Sequence, residues 1–159
     1  MTPGSTVDHA TLSWRWCAFA DLGVYELDAI YRARQQVFAI EQACAYLDAD
    51  GYDSVSWHLA AWAVGHAVPM AYARVVAPGY KYAEPSIGRV ITTGAVRGTG
   101  LGRELVRRAM WHCRVAYPQM GIRISAQTRL ESFYLGLGFK AVAAPHIEDG
   151  IPHTEMLAA

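Results

Sequence analysis

The sequence predicts one mixed α/β domain spanning 1–159, with antiparallel strands first and a β-α-β unit in the middle. Three observations carry that expectation. Short alternating or wholly apolar runs recur at 11–20, 56–63, 70–76, 86–92 and 122–126. Between the last two, a glycine-rich segment leads into a long amphipathic stretch, giving the order strand, loop, helix, strand. Finally, 53% hydrophobic against 18% charged residues supply material for a core around such a sheet and exclude global disorder.

Each element follows from local pattern. In 11–20, Leu12, Trp14, Trp16 and Ala18 alternate with Ser13, Arg15, Cys17 and Phe19, as a strand covered on both sides would. From 22 to 38, Leu27, Ile30, Tyr31, Arg34 by its stem, Val37 and Phe38 recur every three or four positions, predicting a helix with Asp21 as its cap. Residues 42–54 hold Asp48, Asp50, Gly51 and Asp53 without any period and read as an acidic loop, either a solvated turn or a lure for a cationic amine. Runs 56–63 and 70–76 flank a turn at 65–69 and form a hairpin. A strand at 86–92 precedes the glycine segment 94–102. The helix that follows has Leu101, Leu105, Ala109, Cys113 and Ala116 on its apolar face and stops at Tyr117-Pro118. A strand at 122–126, a short helix at 128–137 ended by Gly138, and two strands at 139–144 and 152–157 around Glu148-Asp149-Gly150 complete the chain.

Charge and cysteine content narrow the partners. Fourteen Lys and Arg balance 14 Asp and Glu, so the basic excess of a phosphate-neutralising nucleic-acid binder is missing. Cys17, Cys44 and Cys113 are odd in number and lack a C-x-x-C pair, predicting reduced core thiols and no metal site. Residues 1–9 carry no leader pattern, and no run of 18 apolar residues occurs, so a soluble cytoplasmic protein without a membrane partner is expected. Five Trp and nine Tyr leave room for a homodimer contact.

The segment Arg97-Gly98-Thr99-Gly100-Leu101-Gly102-Arg103 carries the chemistry. Glycines at 98, 100 and 102 permit positive φ and close backbone approach, while unpaired amides at the helix start converge on negative charge. From the residues alone the loop is either an anion cradle for a phosphate or diphosphate, or a turn packed against the sheet. A Walker A loop is excluded because Arg103-Glu104 stands where Lys and Ser or Thr are needed. A dinucleotide fingerprint is excluded by the G-x-G-x-G spacing and by Gln127 where the acidic residue belongs.

Those residues resemble the signature of the GNAT superfamily of acyl-CoA N-acetyltransferases, and Phe133-Tyr134 with Gly138-Phe139 resembles its second motif. The similarity extends to the ElaA-like branch through Arg34-Gln35-Gln36-Val37-Phe38, Glu41-Gln42, Asp48-Ala49-Asp50-Gly51, Ile87-Gly88-Arg89-Val90, Ser125-Ala126-Gln127 and the block from Glu148 to His153. The resemblance implies a mixed, largely antiparallel sheet splayed between two parallel strands and flanked by helices. It implies acetyl-CoA as cosubstrate, its pyrophosphate on Arg97, Gly98, Thr99, Gly100, Leu101 and Gly102, with Arg103 opening the helix. The pantetheine would pair with Val90, Ile91 and Thr92, and Gln127 would stand in for a family asparagine. Tyr134 matches the tyrosine that protonates the departing thiolate, although on its own it reads rather as a core residue beside Phe133.

The acceptor is implied to be a small-molecule, peptide or protein amine, which must lose a proton to attack. His153 is the favoured base, with Glu148, Asp149, Glu155, His58 and Glu41 as the other candidates. Two further readings compete. One is a non-catalytic acyl-CoA-binding module. The other is an acyl-homoserine lactone synthase, whose N-terminal pattern Arg34, Phe38 and the 50–53 region resemble.

Overall fold

The computed structural model describes residues 6–159. Residues 1–5, part of the 1–9 stretch read above as lacking a leader, lie outside the described residues. The strands are β1 (Ser13–Ala18), β2 (Ser56–Trp62), β3 (Ala71–Val76), β4 (Ser86–Thr92), β5 (Ile122–Gln127), β6 (Lys140–Ala141), β7 (His146–Glu148) and β8 (Ile151–Ala158). Three α-helices accompany them: α1 (Val24–Gln35), α2 (Leu101–Ala116) and α3 (Glu131–Leu135). The sheet runs β1-β2-β3-β4-β5-β8-β6, with β7 also on β8. Every pairing is antiparallel except β4 with β5, so the mixed sheet expected from the sequence is present.

Alternation along β2 and β3 sorts two cores. Leu59, Ala61, Ala73 and Val75 join Leu101, Leu105, Ala109 and Cys113 of α2 on one face. Ala60 and Tyr72 join Ile30, Ala33, Val37 and Phe38 on the other. Burying a side chain such as Leu105 contributes roughly 1.5–3 kcal/mol. The α2 stripe also takes in Val106 and Met110, whereas Ala116 is exposed. The three cysteines are buried and unbridged. Among the described residues, no helix is long and apolar enough to cross a membrane.

Several expectations need correction. Asp21 does not cap α1: it ends a 3-10 turn, and Glu26 reaches back to accept from the Gly23 amide at 3.1 Å. The first helix does not run unbroken to Phe38 but passes into a π-helical segment, Gln36–Glu41, where Gln42 N–H reaches Val37 C=O. The extra residue per turn there carries Val37, Phe38 and Glu41 to the site described below. Strand 139–144 shrinks to Lys140–Ala141, because β8 already pairs β7 through the Glu148-Asp149-Gly150 turn. The acidic loop is no solvated turn, since its carboxylates are sunk into ion pairs.

Candidate functional site

Strands β4 and β5 share one register pair, Ser86 with Arg123, where the Arg123 amide donates to Pro85 C=O at 3.0 Å. Toward their carboxyl ends they part. A bulge contributes: Tyr72 faces Ile91 and Arg74 faces Gly88, so Arg89 and Val90 oppose Ala73 alone, with Arg89 at φ 51°. The opening is a cleft of about 120 Å³, bounded by Arg89 and Val90 on one strand and Ser125 and Gln127 on the other. A larger cavity of about 490 Å³ runs from Arg97 and Gly102 past Thr92, Ile91 and Val90 to Phe133 and Tyr134. Gln42, Val90, Leu130 and Tyr134 line both spaces, so the two join there.

The glycine loop has the geometry of an anion cradle. Gly98 and Gly100 adopt φ of +75° and +87° in open surroundings, so it is the dihedral, not crowding, that calls for glycine. Gly102 corrects the expectation, being helical; it borders the cavity with no side chain, and an added Cβ would come 3.7 Å from Thr92 Cγ2. The first intrahelical bond of α2 joins Glu104 N–H to Gly100 C=O at 3.2 Å, so the amides of Leu101, Gly102 and Arg103 stand ahead of it at the positive end of the helix. The Leu101 side chain is wholly buried and its part is backbone only. Leu101 also opens the helix in place of Arg103, whose guanidinium donates to Gly136 C=O at 3.3 Å. Thr99 donates its hydroxyl to Val96 C=O and accepts from His9 Nε2 at 2.9 Å. Arg97 donates to Thr92 C=O at 2.9 and 3.2 Å and pairs with Glu41 at 2.5 Å.

Tyr134 and His153 both border the cleft. Tyr134 is wedged edge-on between Phe133 and Phe139, ring centroids 5.0 and 5.8 Å away, and burial pushes its phenol up to about 12. It therefore holds its proton at neutral pH. His153 Nδ1 lies 2.8 Å from Ile151 C=O, which can only accept, so Nδ1 is the donor there and the neutral form of the ring has its lone pair on Nε2. Glu148 Oε2 is 3.9 Å from that Nδ1, 3.6 Å from His146 Nε2, and accepts from Ser125 Oγ at 2.8 Å. Burial pushes the Glu148 carboxyl up, but the Ser125 hydroxyl, His153, Lys81 and His146 outweigh it and hold the group below its ordinary range. Gln127 is committed on both ends, donating to Gln42 Oε1 at 3.1 Å and accepting from Arg129 Nε at 2.9 Å. It braces the wall of the cleft.

The other base candidates are elsewhere or engaged. His58 is buried with Nδ1 2.7 Å from Tyr72 Oη and Nε2 2.9 Å from Asp53 C=O, and lines neither of the two joined cavities. Glu155 pairs with Arg123 and Glu41 with Arg97, while Asp149 is exposed at the β7-β8 turn. The acidic loop forms a charge network. Asp53 pairs with Arg34 at 2.7 Å and Arg74 at 3.2 Å, and Asp48 and Asp50 pair with Arg34, Arg74 and Arg89. Arg34 and Arg74 are 0% and 1% exposed, so the Arg34 guanidinium and not merely its stem is buried. Sequence reading missed Gln42, Phe38 and Tyr46 as cleft residues; the π-helical segment that contains Phe38 and is capped by Gln42 has no periodic signature of its own.

The chain is similar to known proteins along most of its length. Residues 60–158 match the family model described as an acetyltransferase (GNAT) domain. A UPF0039 protein of Synechocystis is 40% identical over 146 residues, covering 92% of this chain and 94% of that protein. An acyl-CoA N-acyltransferase from Pseudomonas aeruginosa has a crystal structure 37% identical, covering 93% of this chain and 99% of that one, with a TM-score of 0.88. The crystal structure of Escherichia coli ElaA is 32% identical with the same coverages and a TM-score of 0.86.

Proposed function

The chain belongs to the acetyltransferase (GNAT) family, and from that membership we propose that it transfers an acetyl group from acetyl-CoA to a primary amine by direct attack in a ternary complex. The observation that carries this reading is the join, at Val90 and Tyr134, between the cavity leading from the glycine loop and the splayed cleft that His153 borders. The loop suits a diphosphate by its left-handed glycines and its helix-start amides. Acetyl-CoA supplies the activated acyl carbonyl and a thiolate leaving group.

The chain's own groups do the rest. Amides of Leu101, Gly102 and Arg103 hold the diphosphate, and the β4 backbone at Val90, Ile91 and Thr92 aligns the pantetheine. Arg97 must let go of Glu41 or Thr92 to reach a phosphate. His153 Nε2 takes the amine proton as the N–C bond forms, with Glu148 steadying the imidazolium; Tyr134 Oη gives its proton to sulfur as the C–S bond breaks. The buried thiols Cys17, Cys44 and Cys113 favour a reducing compartment and hence the cytoplasm. No nucleic-acid role is proposed. Of the residues that resemble an acyl-homoserine lactone synthase, Arg34 and the acidic loop are held in ion pairs, whereas Phe38 lines the cleft.

Calorimetric titration with acetyl-CoA, followed by free-thiol release across a panel of primary amines, tests the reading. Micromolar binding with thiol release is expected. No binding overturns it; binding without release across the panel leaves an acyl-CoA-binding module.

A further inference from the structure

Resting on the acetyl-CoA reading above, we propose that a wall made of Arg89, Phe38 and Tyr46 limits the donor to short acyl groups such as acetyl and propionyl, and that the buried charges behind it keep that wall rigid. The cleft beyond Tyr134 measures about 120 Å³, the space of about four waters. It must take both the acyl methyl and the attacking nitrogen. The further methylenes of a hexanoyl chain would have to run against the Arg89 guanidinium. That group stands 5.9 Å from the Phe38 ring centroid and 5.0 Å from that of Tyr46.

Arg89 has little freedom to yield. Its Nε pairs with Asp48 Oδ1 at 2.9 Å, and its Nη2 donates to Asp48 C=O at 3.1 Å and Asp50 Oδ2 at 3.2 Å. Asp48 is held in turn by Arg34 at 2.9 Å, and Asp50 by Arg74 through two bonds of 2.7 and 2.6 Å. Moving Arg89 outward would leave partly buried carboxylates short of a partner, which is costly. The left-handed φ of 51° at the bulge directs this one side chain off the regular alternation of β4. The cleft opens on the 490 Å³ cavity, which the pantetheine fills in this reading, while the cavity of about 330 Å³ beside Val37 and Glu41 shares no lining residue with the cleft. The charge network thus acquires a role in specificity that its distance from the glycine loop conceals.

The test is the affinity of the whole chain for CoA, acetyl-CoA, butyryl-CoA and hexanoyl-CoA by calorimetry, in the wild type, Tyr46→Ala and Arg89→Gly. Glycine suits φ 51° and removes the guanidinium, while Tyr46→Ala leaves every ion pair in place and serves should Arg89→Gly fail to fold. The wild type is expected to bind hexanoyl-CoA about tenfold more weakly than acetyl-CoA, or worse, and the variants to lose most of that ratio. Equal wild-type affinities for acetyl-CoA and hexanoyl-CoA overturn the wall while leaving the acetyl-CoA reading intact. A ratio that persists in folded variants overturns its assignment to these residues. Failure of the wild type to bind any of the four, CoA included, instead removes the reading on which the proposal rests.

Discussion

Ser86 and Arg123 are the point at which two parallel strands meet and from which they separate. The Arg123 side chain strengthens that hinge from outside, pairing with Glu84 at 3.0 Å and Glu155 at 3.2 Å. Everything chemical in the site lies on the open side of this pair: Val90 and Arg89 on one strand, Ser125 and Gln127 on the other, Tyr134 and His153 at the rim. The proposed pantetheine pairing rests on the backbone groups of β4 beyond this pair.

Removing the Tyr134 hydroxyl tests its place as proton donor. Tyr134→Phe keeps the edge-on packing against Phe133 and Phe139, so acetyl-CoA affinity should stay within about twofold while turnover falls by about 10²-fold or more. Steady-state thiol release together with calorimetry checks both halves. Unchanged turnover would return Tyr134 to a packing role.

His153 and Glu148 should separate by the size of their effects. His153→Gln removes the lone-pair nitrogen and is expected to lower kcat by about 10²-fold or more. Glu148→Gln keeps an acceptor for Ser125 but loses the charge 3.9 Å from Nδ1, which should cost about tenfold. Equal acetyl-CoA affinities in all three proteins, read by calorimetry, would place both losses in chemistry and not in binding.

Gly100→Asp puts a side chain where φ is +87° and a negative charge where the diphosphate is proposed to sit. Binding of acetyl-CoA should fall below detection, while the strain costs about 1–2 kcal/mol of stability. A variant that melts near the wild-type temperature and still binds would contradict the cradle.

Acid should unfold the protein through its buried aspartates. Burial pushes the Asp53 carboxyl up, but Arg34 and Arg74 outweigh that and hold it below its ordinary range; Asp50 is likewise lowered, by Arg74 and Arg89 with the Tyr52 amide, against its own burial. As pH falls, the unfolded chain therefore takes up these protons first, near 3.9, and the folded chain only lower. Their contribution is complete above about pH 4 to 5 and disappears as pH drops through the folded values. Urea midpoints should already decline below about pH 6.5, where the unfolded chain protonates His58 and His112 while burial holds both rings below their ordinary value in the fold, and fall more steeply below about pH 4 as the aspartates protonate. Asp53→Asn should cost about 3–5 kcal/mol at neutral pH and make that acid limb shallower; a limb of undiminished slope would assign the acid sensitivity to other groups.

Local signals in the sequence determined the order of strands and helices as far as α3, the placement of α2 behind a glycine loop, and the left-handed positions Gly98 and Gly100, but not the short strand β7, because periodicity and dihedral demand act within a few residues of one another and three residues carry no period. They also determined the family resemblance, since the motif residues are contiguous. Tertiary structure alone decided what the acidic loop is for. Asp53 finds Arg34 and Arg74 at 19 and 21 residues' separation, and nothing in the spacing of Asp48, Asp50 and Asp53 names those partners. The same holds for His58, drawn into the core by Tyr72 and Asp53, and for Gln42, which meets Gln127 across 85 residues. A buried charge or amide takes whichever partner the packed sheet brings within about 3 Å, and that choice is made in space after the chain has collapsed.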